Sequence, residues 1–230
     1  VRAPALPAVL LAVLLALAAL TACTDGSGSA IDKVADARRA QAERVARDAG
    51  LPAEVQRFLG RAATGVAHRF TVVYKTADRT TTLVQRPPQR RIDVEATTNH
   101  GETESVLRLN QGTFACRDDT TAPWTCRKQA AGAEGPDPDL GVFGPVQIAD
   151  AVQTLAGAKH DYRFKVAPAT IAKAKATCLV TTKPGAPPDE ICISAEGAIL
   201  RVRSATRTLE ATSYRADADP ARLRLPARPS

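Results

Sequence analysis

In HRFTVVYK, residues 68–75, Phe70, Val72 and Tyr74 alternate with Arg69, Thr71 and Val73. A period of two marks a strand with one apolar face and one polar face. The same pattern recurs in RTTTLVQR (79–86), RRIDVEAT (90–97), ESVLRLN (104–110) and GTFACRD (112–118). Pro87-Pro88, Asn99 to Gly101 and Gln111-Gly112 punctuate these runs as tight turns. Short alternating strands joined by turns predict an antiparallel meander with one face toward water.

Upstream, the period becomes helical. AIDKVADARRAQAERVARDA (30–49) has neither Gly nor Pro and is rich in Ala, Arg and Glu, a strong helix former. Gly50 follows its end, and Pro52 opens a second short helix, PAEVQRFLGRAA. Downstream, GAEGPDPDLGVFGPVQIADAVQTLAGAKH (132–160) begins as a loop and becomes a helix bearing Val146, Ile148, Val152 and Leu155. Strands then resume in DYRFKV, AKATCLVTT, EICISAEG, GAILRVRSA and TLEATSYR, followed by an extended, proline-limited tail. The expected fold is α+β. A curved antiparallel sheet forms a half-barrel, and the N-terminal and inserted helices cover its concave face.

Residues 1–22 form a separate regime. Arg2 is the only charge before Cys23, and the segment between them is Ala, Leu, Val, Pro and one Thr. A positive start, an apolar middle and small residues before a cut define an export signal. Leu20-Thr21-Ala22-Cys23 resembles the lipobox of bacterial lipoproteins, which makes Cys23 the acceptor of a diacylglycerol. Residues 23–30 then read as a small flexible tether and 31–230 as a single domain. Val1 and the Met-free, Ala- and Arg-rich composition fit a GC-rich bacterial origin. The expected location is the extracytoplasmic face of the cell membrane, held by a covalent lipid.

Four further cysteines, Cys116, Cys126, Cys178 and Cys192, allow three pairings. Export implies an oxidising compartment. Each sequential pair closes one turn-containing segment, so Cys116–Cys126 and Cys178–Cys192 are expected, worth on the order of 3 kcal/mol each at most. No pair has zinc-ligand spacing, and His68, His100 and His160 are scattered, so no metal is expected. The chain carries a net charge of +7 without a dense basic run. Its single Trp124 offers no stacking series for nucleic acid.

The element order, the lipobox and the closing pattern EICISAEGAILRVRS…TLEATSY…DP…LRLP resemble the LolA-like lipoprotein-carrier fold, specifically the mycobacterial LprG/LppX type. That resemblance implies acyl chains held between a half-barrel and its helical plug. Two disulfides depart from it. Catalytic motifs are missing from the sequence: there is no GxSxG, HExxH, SxxK or phosphate-cradling loop, and Asp118-Asp119 and His100 read as turn residues. Binding is therefore expected over catalysis, with no cofactor.

Two readings stand. In the first, an acyl lipid or glycolipid lies along the concave face against Phe70, Val72, Tyr74, Ile92, Val94, Leu107 and Leu109, closed over by Val152 and Leu155. In the second, the domain is a non-catalytic envelope interaction or sensor module with a closed core and a basic outer face.

Overall fold

A computed structural model describes residues 27–97, 101–119, 122–130 and 141–229. Cys23 and residues 1–26 lie outside them, as does His100. Helix α1 spans Ser27–Asp48 and α2 spans Ala53–Thr64. α1 begins at Ser27, inside the stretch read as tether, three residues before the Ala/Arg-rich run that starts at Ala30. Gly50, at φ 72°, ends it: the Gly50 and Leu51 N–H groups donate to the carbonyls of Arg47 and Ala46.

Six strands follow: β1 Phe70–Lys75, β2 Arg79–Arg86, β3 Gln89–Ala96, β4 Thr103–Leu109, β5 Gly112–Asp119 and β6 Ala122–Lys128. Helix α3, Pro145–Ala158, takes Pro145 at its first turn. Then come β7 Arg163–Ile171, β8 Ala174–Thr182, β9 Asp189–Ser194, β10 Ile199–Arg203 and β11 Thr208–Arg215. The eleven strands form one antiparallel sheet in the order β6-β5-β4-β3-β2-β1-β11-β10-β9-β8-β7. Each half is a meander, and the halves join where β1 pairs with β11. β7 is an edge strand, an environment that accommodates Pro168, whose missing N–H can face away from the sheet.

The sheet curls. Phe70, Val72, Tyr74, Leu83 and Ile92 of β1–β3 share one buried cluster with Ile171, Cys178, Cys192, Leu200 and Leu209 of the second meander. The Tyr74 hydroxyl donates to the Ile199 carbonyl on β10. The helices form a second cluster over β8–β10: Ala46, Val55, Phe58, Leu59, Ile148 and Val152 pack with Leu179, Ile193 and Ile199.

Helix and sheet approach backbone to backbone where α2 ends. A Cβ on Gly65 would lie 2.5 Å from the Gly197 carbonyl oxygen, and one on Gly197 would lie 2.7 Å from the Arg61 carbonyl oxygen. Gly197 also holds φ 77°, a conformation that favours glycine. Gln85 seals the junction, its Nε2 donating to the carbonyls of Gly65 (2.6 Å) and His68 (3.1 Å).

Candidate binding surfaces

Register decides which predicted pocket residues share a face. Val72 pairs with Leu83, and Leu83 with Ile92, so these stand on the core face together with Phe70, Tyr74 and Val94. Leu107, however, pairs with Arg91, one residue out of phase with Ile92. Leu107 and Leu109 therefore point to the opposite face of the sheet, which corrects the expectation that they line the same surface as Phe70. They are buried there by Phe114, Cys116, Cys126, Trp124, Leu225 and Ala227.

The cover on that face is the C-terminal tail. Leu223 packs on Val84, Leu225 and Ala227 pack on the Leu107 cluster, and Pro229 bridges Cys126 of β6. A polar lattice pins the tail midway. The Asp93 carboxylate accepts from Arg91 Nε (2.6 Å), from the Ser105 hydroxyl and from Arg222 Nη2 (3.0 Å). Arg91 Nη1 in turn donates to the Arg222 carbonyl (3.1 Å), and its guanidinium lies over the Trp124 ring. Asp93 and Ser105 are buried and fully engaged, as buried polar groups must be.

On the helix side, Phe70, Val72, Tyr74, Ile92 and Val152 are buried, and Val94 and Leu155 are half-buried against the same clusters. Side chains of neighbouring elements fill the space over them. An apolar groove of about 100 Å³ opens between α1 and α3, lined by Ala42, Val45, Ala63, Phe143 and Ile148 and rimmed by Arg38 and Gln41. Small-molecule sites run to roughly 300–1,000 Å³, so this groove is too small for a whole acyl lipid. A shallower cleft of about 460 Å³ lies where the β7–β8 turn meets β11, lined by Lys173, Thr212, Ser213 and Tyr214. Burial, with Glu196 accepting from its hydroxyl, pushes Tyr214 above the usual tyrosine range.

The core face has no helix over its outer strands among the described residues. Three rows cross β3–β6 on this face. The first is Arg90, Arg108 and Thr113; the second is Ile92, Val106, Ala115 and Arg127; the third is Val94, Glu104, Arg117 and Thr125. Arg108, Arg117 and Arg127 are exposed, whereas Val94, Val106 and Ala115 are half-buried. Arg117 pairs with Glu102 at 2.8 Å. Arg90 stands directly opposite Arg108, and burial together with that like charge lowers its pKa to about 10. Sequence reasoning missed this surface. The signal was present in RRIDVEA and ESVLRLN, where Arg90 shares parity with Ile92, and Arg108 with Val106.

The structure joins Cys116 to Cys126 and Cys178 to Cys192, each across adjacent antiparallel strands. The two bridges fit an oxidising, extracytoplasmic compartment. Glu190 lies within 4.8 Å of the Cys178 and Cys192 sulfurs, but it pairs with Arg201 and the sulfurs are bonded to each other. Among the described residues, no helix is long and apolar enough to cross a membrane.

These features define an α+β domain built on an eleven-stranded antiparallel sheet with three helices and two cross-strand disulfides. No protein-family model matches the chain, and no curated protein sequence matches it. Among solved structures it is similar to MucB at 15% identity and a TM-score of 0.44, covering 76% of this chain and 63% of that one. It is also similar to the Pseudomonas aeruginosa MucA/MucB complex at 15% identity and a TM-score of 0.43, covering 73% and 59%. The chain thus spans less than two thirds of the length of these structures. At this identity and score the likeness carries no functional information. The family expected from the sequence stands as a resemblance of architecture, not an assignment.

Proposed function

We propose that the chain is an extracytoplasmic lipoprotein, tethered through a diacylglycerol on Cys23, whose domain docks a partner and catalyses no reaction. One observation carries the choice of docking over lipid carriage. The side chains expected to line a lipid cavity, Phe70, Val72, Tyr74, Ile92 and Val152, are at most 6% exposed and are packed into the core with their neighbours. A closed core leaves the surface as the place of function. The lipid-carrier reading draws support from the groove beside Val45 and Ile148, whose apolar lining suits the end of an acyl chain.

Organic extraction of the purified chain separates the two, because it leaves a covalent anchor in place. Docking with a closed core predicts no stoichiometric acyl lipid or glycolipid by mass spectrometry. About one extractable lipid per chain would return the function to carriage.

A further inference from the structure

The outer wing, β3–β6, is built unlike the rest of the sheet. Like charges directly opposite one another on adjacent strands destabilise a sheet, yet Arg90 and Arg108 face each other. Arg127 joins them from the next row, and no lysine lies on this face of β3–β6. Arginine presents a planar fork that matches a carboxylate with two parallel hydrogen bonds, which lysine cannot do. The half-buried Val106 and Ala115 stand in the row that ends at Arg127, Val106 two residues from Arg108 on the same face of β4 and Ala115 directly opposite Arg127. Strand spacing and rise put Arg108 and Arg127 roughly 12 Å apart at their backbones, within reach of two alternate side chains of an extended peptide once the long arginines lean inward. Glu104 and Glu102 lie toward the other end of β4, so the charge complementarity is directional.

We propose that this face of β3–β6 docks an acidic, partly apolar polypeptide segment, with carboxylates on Arg108 and Arg127 and apolar side chains over Val106 and Ala115. The inference rests on the docking reading above and names the chemistry of the partner. A phosphate polymer would satisfy the arginines but would leave the aliphatic strip facing water. A peptide satisfies both.

The test is fluorescence anisotropy of the purified full chain with a labelled, end-blocked peptide, Glu-Leu-Glu-Leu-Glu-Leu-Glu. Its Gln-for-Glu counterpart and inorganic polyphosphate serve as comparison probes. Arg108→Glu combined with Arg127→Glu reverses the site at two exposed positions, and circular dichroism confirms that the variant is folded. Lys128→Glu makes the same kind of reversal on the opposite face of β6. The expected result is salt-sensitive binding of the acidic peptide that falls about tenfold or more in the double variant and stays within about twofold for Lys128→Glu. Absence of wild-type binding, equal loss in both variants, equal binding of the Gln peptide, or displacement by polyphosphate at matched charge would each overturn it. A chain that binds no peptide but yields a clean lipid extract removes this inference and leaves the closed-core docking reading standing.

Discussion

The helix-covered half of the sheet and its outer wing solve the same problem differently. Over β8–β10, apolar alternation meets three helices, and the glycines at 65 and 197 let backbone touch backbone. Over β3–β6 the same alternation is buried on the other face, beneath a C-terminal strap that makes one 3-10 turn at Pro220–Leu223 and is held by Asp93, Arg91 and Arg222. The wing's core face then carries arginines, with no helix of the described chain over it. Burial alone therefore does not say where function lies. A face that alternates Arg with small aliphatic residues, beside a face that is fully buried, is the more informative signal.

The largest expected effect breaks the helix-covered half. Gly197→Ala places a methyl group against the Arg61 carbonyl and forces an L-residue to φ 77°. Left-handed strain costs roughly 1–2 kcal/mol, and overpacking adds about 1–3. Thermal unfolding should register the sum as a marked fall in Tm. An unchanged Tm would mean that α2 does not seat on the β9–β10 turn.

A smaller, more local effect belongs to the wing. Asp93→Ala leaves Arg91 buried without its carboxylate, at a cost of about 3 kcal/mol. Hydrogen exchange should quicken in β3–β6 and the tail before it changes in α1–α3. Uniform quickening across the chain would erase the distinction between the two halves.

Much of the fold was legible because periods of two and 3.6 report directly on strands and helices. HRFTVVYK, RTTTLVQR and TLEATSYR became β1, β2 and β11, and PVQIADAVQTLAGA became α3. Alternation fixes faces only within a strand, however. Nothing in ESVLRLN says whether Leu107 or Val106 continues the face of Ile92; the pairing register of β3 with β4 decides that, and it sits Val106 opposite Ile92. The pairing of β1 with β11 joins residues more than a hundred positions apart and leaves no local mark. The tail, read as merely extended, acts as cover because Leu223, Leu225 and Ala227 sit at alternate positions facing the strap-side cluster. The candidate site went unseen for the same reason. Arginines in a basic chain look like solvated surface until register aligns them.

The most direct test of the two-sided account is arginine modification by phenylglyoxal, mapped by mass spectrometry on the folded chain. Arg108 and Arg127 are exposed on the wing's core face, whereas Arg91, with a side chain only 13% exposed, is locked beneath the strap by Asp93. Early modification is expected at Arg108 and Arg127 and protection at Arg91, with Asp93→Ala exposing Arg91 and freeing its strap partner Arg222 while leaving Arg108 and Arg127 unchanged. Protection of Arg108 and Arg127 equal to that of Arg91 would contradict it.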